Sequence, residues 1–116
     1  MNTSITISLY RQTYPAWDDA MMELSPKAMK LLTFLGKKLR MNGLNIIRLT
    51  NKEICKEFKI LQPHLSRSIK ELKKHSALVK IEGGYMLNPR MTWKGDVKDI
   101  QLKGIPMWSK EGGWKE

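Results

Sequence analysis

A chain of 116 residues and 13.5 kDa holds one modest hydrophobic core and is too short for two ordinary domains. Its 21 Lys and Arg against 11 Asp and Glu leave a formal charge of +10 and a pI near 9.9, which calls for an anionic partner: nucleic acid first, then an acidic membrane surface or an acidic protein. The single cysteine, Cys55, excludes an internal disulfide framework or a multi-cysteine zinc site, and neither a leader-like start nor a run of roughly 18 apolar residues is present, so a cytoplasmic protein without membrane contact is expected.

In chain order, residues 5–10, "ITISLY", alternate β-branched and polar side chains and predict a short strand or arm. The next segment, "RQTYPAWDDAMMEL", is interrupted by Pro15 and offers Trp17, Met21, Met22 and Leu24 as a cap on a core from a loop or short helix. Residues 25–43, "SPKAMKLLTFLGKKLRMNG", predict a helix with Ser25 as its N-cap, Pro26 at its first position and Gly43 as a left-handed stop. Ala28, Leu31, Leu32, Leu35 and Leu39 form its buried stripe, and Gly36 within the helix marks a close helix contact or is simply tolerated.

A β-rich run over 45–50, "NIIRLT", follows. Thr50 and Glu53 have the spacing of a capping box, so a helix begins at Asn51 with Ile54, Cys55 and Phe58 on its apolar side and Cys55 read as a buried thiol. "KIL" then makes a short turn, and Gln62 opens a second helix running to about residue 75, with Pro63 tolerated in its first turn. Leu65, Ile69 and Leu72 are its core face. Strand-like runs over 78–81 and 85–87 flank "EGG", whose glycines supply the positive φ angles of a tight hairpin turn. Residues 91–116 read as an irregular tail in which Trp93, Ile105 and Trp108 dock on the core or on a second subunit.

Helix, short strand, helix, turn, helix and hairpin is the order of a winged helix-turn-helix domain. The expected fold is therefore α+β and mainly helical: an N-terminal arm or strand and short helix over 1–24, the winged domain over 25–90, and the tail. In such a domain the second helix of the motif enters the major groove. Gln62, His64, Ser66 and Arg67 at its leading end are the candidates for base contact, since arginine pairs bidentately with guanine and glutamine with adenine. Lys70, Lys73 and Lys74 farther along, Arg48, Lys52 and Lys56 before the helix, and Lys80 and Arg90 flanking the hairpin are candidates for phosphate contact, which adds affinity without reading sequence. A lysine-rich face is often no more than solvated surface, and placement in the motif is what sets Arg67 apart.

His64 has no second histidine at ligand spacing, so neither a metal nor a cofactor is expected. No phosphate-cradling glycine loop, paired carboxylates or nucleophile with a placed base appears, and enzymatic activity is not expected.

The run "GGYMLNP" followed by "KGD" is more particular. Tyr85, Met86, Leu87, Asn88 and Pro89, then Lys94 and Gly95, make the region resemble the winged-helix part of plasmid replication proteins of the RepL type, over about half the chain. The resemblance implies a binder of plasmid or phage double-stranded DNA, acting at an origin by recruiting host replication proteins or controlling expression nearby. It makes residues 62–74 the DNA contact and "YMLNP" a structural end to the wing. Three readings follow: a replication or maintenance factor, a transcriptional repressor of its own operon, or a protein-interaction module that uses the tryptophan-bearing tail. A homodimer reading two half-sites is expected, with either "ITISLYR" or the tail as interface.

Overall fold

The computed structural model describes residues 11–112. The strand predicted over 5–10 lies outside the described residues. Those described form β1 (Gln12–Thr13), α1 (Pro15–Glu23), α2 (Pro26–Lys37), β2 (Ile46–Ile47), α3 (Asn51–Phe58), α4 (Gln62–Lys74), β3 (Leu78–Ile81), β4 (Gly84–Leu87), β5 (Thr92–Trp93), a π-helical turn (Ile100–Gly104) and α5 (Ile105–Lys110). The sheet order β2-β4-β3, antiparallel throughout, on a helical layer gives an α+β winged-helix-like fold. A separate antiparallel pair joins β1 to β5.

Local chemistry explains most boundaries. Ser25 Oγ accepts from the Ala28 N–H at 3.3 Å and Pro26 occupies the first turn of α2. Pro15 likewise starts α1 and does not interrupt it. The capping box at α3 is complete, with Thr50 Oγ1 accepting from Glu53 N–H at 3.2 Å and Glu53 Oε1 from Thr50 N–H at 3.0 Å. These bonds hold the Glu53 carboxyl below the usual range. Helix α3 ends where Lys59 turns left-handed, at φ 56° and ψ 51°, letting the Ile60 N–H reach back to the Cys55 carbonyl.

The helix predicted over 25–43 ends six residues early, at Lys37. The following loop is held from a distance: Asn45 Nδ2 donates to the carbonyls of Leu87 (3.1 Å) and Thr92 (2.8 Å), and the Asn42 N–H donates to the Lys94 carbonyl at 3.0 Å. Asn42, Leu44 and Asn45 all take positive φ to do so, while Gly43 does not. Gly36, expected at a helix contact, instead faces the Arg11 side chain.

The apolar stripe of α2 is buried as its spacing predicts, and with Trp17, Ile54, Leu65, Leu72, Leu78, Tyr85 and Leu87 it forms the main core. The sheet alternates cleanly. Ile47, Leu78, Tyr85 and Leu87 face the helices, whereas Ile46, Val79, Ile81 and Met86 face away, into a second cluster closed by Met107 and Trp108 of α5.

The segment expected as an irregular tail thus carries a strand, a π-helical turn and a helix that covers the outer face of the wing. Trp93 and Trp108 are both fully buried within the chain. Gly104 lies so close to the Trp93 ring that a β-carbon there would come within 2.7 Å of it.

Candidate nucleic-acid interface

Helix α4 separates its faces by period. Leu65, Ser68, Ile69 and Leu72 are buried, leaving Gln62, Ser66, Arg67, Lys70, Lys73 and Lys74 exposed on one continuous surface, with His64 half-buried at its edge. At the leading end Arg67 folds back along the helix. Its Nε lies 3.5 Å from the Pro63 carbonyl and its Nη2 3.4 Å from His64 Nδ1. Arginine only donates, so this pair requires an unprotonated Nδ1 on His64.

Gln62 Oε1 accepts from the Cys55 thiol at 3.3 Å. Cys55, predicted as a buried core thiol, is half-exposed and touches the first residue of α4, because α3 and α4 converge at their shared turn.

The trailing end of α4 is fastened to the rest of the fold. Glu71 accepts from the Ser25 N–H at 2.6 Å and from Ser25 Oγ at 2.8 Å, so one hydroxyl caps α2 and anchors α4 together. These two bonds hold the Glu71 carboxyl below the usual range, with His75 and Lys74 adding smaller attractions. His75, which follows the helix, lies 3.4 Å from Glu23 of α1.

At the wing, Arg48 Nη1 donates to the Glu82 carbonyl in the hairpin turn at 3.2 Å. Lys80 Nζ donates to the Gly84 carbonyl at 3.3 Å and lies 4.9 Å from the centre of the Tyr85 ring. Tyr85 in turn donates to Asn51 Oδ1 at the start of α3, and burial pushes its hydroxyl pKa up.

Of the two glycines expected to shape the turn through positive φ, only Gly83 does so, at 79°. Gly84 serves closeness: a β-carbon there would fall 1.9 Å from the Ile47 carbonyl oxygen. Arg48 and Lys80 therefore cluster at the tip. Arg90 lies elsewhere, past the Leu78–Leu87 pair that closes the opposite end of the hairpin. Lys52 and Lys56 are exposed on α3.

The "YMLNP" run is buried throughout, and Asn88 Nδ2 donates to the Ser76 carbonyl at 2.9 Å while its Oδ1 accepts from the Arg90 N–H at 2.9 Å. Gly95 of the "KGD" run has φ 144° and packs on Asn42, where a β-carbon would approach Oδ1 to 2.5 Å. Both motifs therefore hold the loop, sheet and C-terminal segment together.

Sequence reasoning missed Lys27, Lys30, Lys59 and Leu61, which join His64 around a cleft beside the leading end of α4. Leu61 is 69% exposed. The missing signal is tertiary, since Lys27 and Lys30 lie more than thirty residues before His64. Among the described residues no group of three or more His, Cys, Asp or Glu side chains is gathered to hold a metal, and no helix is long and apolar enough to cross a membrane.

No curated protein and no solved structure matches the chain. The sequence profile of the Firmicute plasmid replication protein, RepL, matches residues 20–107, a span that begins within α1 and ends within α5 and so takes in both the helical layer and the cover of the sheet. On that match over most of its length, the chain belongs to the RepL family of plasmid replication proteins.

Proposed function

We propose that this protein is a sequence-specific double-stranded DNA-binding factor that acts in plasmid replication or maintenance at an origin or its control region. The observation that carries the reading is the exposed face of α4, where Gln62, Ser66 and Arg67 lead and Lys70, Lys73 and Lys74 follow on a helix whose other face is fully committed to the core. Gln62, His64, Ser66 and Arg67 meet base edges, while the trailing lysines, Lys52 and Lys56 on α3, and Arg48 and Lys80 at the wing tip meet phosphates. Arg90, at the base of the hairpin, reaches the backbone only if the duplex extends past the sheet. The protein works as a binder without catalysis, in the cytoplasm, as a homodimer on two half-sites, and host replication proteins are its further partners.

Trp93 and Trp108 of the C-terminal segment are both buried within the chain and so are not themselves exposed docking groups, while Trp114 lies outside the described residues.

Fluorescence anisotropy on duplex from the protein's own upstream region and on a scrambled duplex, across a salt series, tests the proposal. Preference for the native duplex with affinity falling as salt rises is the expected result. Equal, weak binding to both would reduce the face of α4 to a basic surface and end the proposal.

A further inference from the structure

The cleft beside the leading end of α4 has a volume of about 410 Å³ and brings together residues from α2, the α3–α4 turn and α4. Phe58, Ile60 and the outward-facing Leu61 give it an apolar lining. Three lysines at its edge make it cationic as well. Lys27 and Lys30 stand three apart on α2 and so share a face, and Lys59 projects from the left-handed turn between α3 and α4. No acidic side chain lines the cleft. Among the described residues the ion pairs are Lys38–Glu57, His75–Glu23 and Lys103–Asp99, so none of the three rim lysines is neutralised by one.

A larger cleft elsewhere shows the contrast. There the volume is about 490 Å³ and the lining includes Lys38, Arg40 and Arg48, but Lys38 is held by Glu57 at 2.6 Å and Arg48 by the Glu82 carbonyl. Cations in that cleft are partly satisfied by the protein itself. Those around Leu61 are in no ion pair among the described residues.

We infer that this second basic surface seats one DNA strand beside the groove that α4 enters, with Lys27, Lys30 and Lys59 on successive phosphates and Leu61 against the sugars between them. The inference rests on the DNA-binding reading and extends it to α2, which no part of the helix-turn-helix argument reaches. Charge selects an anion, and position selects among anions. His64 forms one wall of the cleft and is also on the leading turn of α4, so a duplex engaged by Gln62 and Arg67 carries a backbone strand across that wall. An acidic protein segment satisfies the charge but has no such link to α4.

The test compares salt dependence for the full chain on its native duplex. Each lost phosphate contact lowers the slope of log K against log salt by about 0.9, so the triple variant Lys27→Ala, Lys30→Ala, Lys59→Ala should lose about 2.7 from the wild-type slope. A charge-matched control, Lys98→Ala, Lys103→Ala, Lys110→Ala, changes residues that do not line the cleft and should leave the slope near wild type.

Lys59→Gly alone removes one charge at a left-handed position that glycine occupies without strain, and its loss of about 0.9 cannot be blamed on misfolding. Equal slopes for the cleft variant and wild type, with native-duplex preference intact, would overturn the cleft while sparing the function. Equal losses in cleft and control variants would also overturn it, as general charge attraction. A wild type without duplex preference would overturn both readings, and an acidic peptide then remains the partner for the rim.

Discussion

The two ends of α4 are built on opposite plans. At the trailing end, Glu71 is bonded twice to Ser25, His75 lies beside Glu23, and Leu72 is fully buried. At the leading end the N-cap is Leu61, which provides no side-chain cap, and Gln62, Ser66 and Arg67 face solvent with only local contacts to Cys55, Pro63 and His64. The difference teaches how a small protein can keep one end of a helix, here the proposed DNA-reading end, free of long-range bonds without loosening the helix that carries it. Orientation is fixed at one end, and hydrogen-bonding capacity is kept at the other.

Four substitutions would break or sharpen that comparison. Leu72→Ala opens a cavity under the fastened end and should cost about 2–5 kcal/mol in denaturant unfolding. Its effect on base preference, measured below the unfolding transition, should be small. Arg67→Ala should do the reverse: a loss of about 1–3 kcal/mol in discrimination between native and scrambled duplex by anisotropy, with unfolding stability changed by less than about 0.5 kcal/mol. A large fall in stability for Arg67→Ala would show that the leading end is structural.

Glu71→Gln should cost about 1 kcal/mol at neutral pH, less than a charge-assisted hydrogen bond usually contributes because the pair is reached by solvent. Its pH dependence has a definite sign. The Ser25 bonds depress the folded-state pKa of Glu71, so between that value and the ordinary glutamate pKa the unfolded chain binds more protons. The contribution is complete above the ordinary value and is lost as pH falls through the depressed one, so the unfolding curves of the wild type and the Glu71→Gln variant should converge in acid. Curves separated by a constant amount down to the acid limit would assign the anchor to packing. Lys74→Ala has the smallest effect: native and scrambled duplexes should weaken alike, with the salt slope reduced by about 0.9. Unequal weakening would make Lys74 a reader.

What was legible in the chain follows the range of the forces involved. The start of α2, the capping box of α3, the limits of α4 and the hairpin all depend on residues within a few positions of one another, and their chemistry is written locally as Ser25-Pro26, Thr50 with Glu53, Gln62-Pro63 and Glu82-Gly83. The early end of α2 was hidden because its cause lies forty and more residues away, in the Leu87, Thr92 and Lys94 carbonyls that hold Asn42 and Asn45. The C-terminal cover was partly visible. β4 reads "GYML" with no polar position, and a strand buried on both faces needs a second layer. Arg67 and the lysines of α4 were legible because helical periodicity alone places them, whereas Lys27 and Lys30 reach the cleft only through the packing of α2.

The cover over the sheet is also separable from the sheet's own pairing. The backbones of β2, β3 and β4 can pair while Ile46, Val79, Ile81 and Met86 still face water. Docking of α5, more than pairing of the strands, is the step that closes this apolar face.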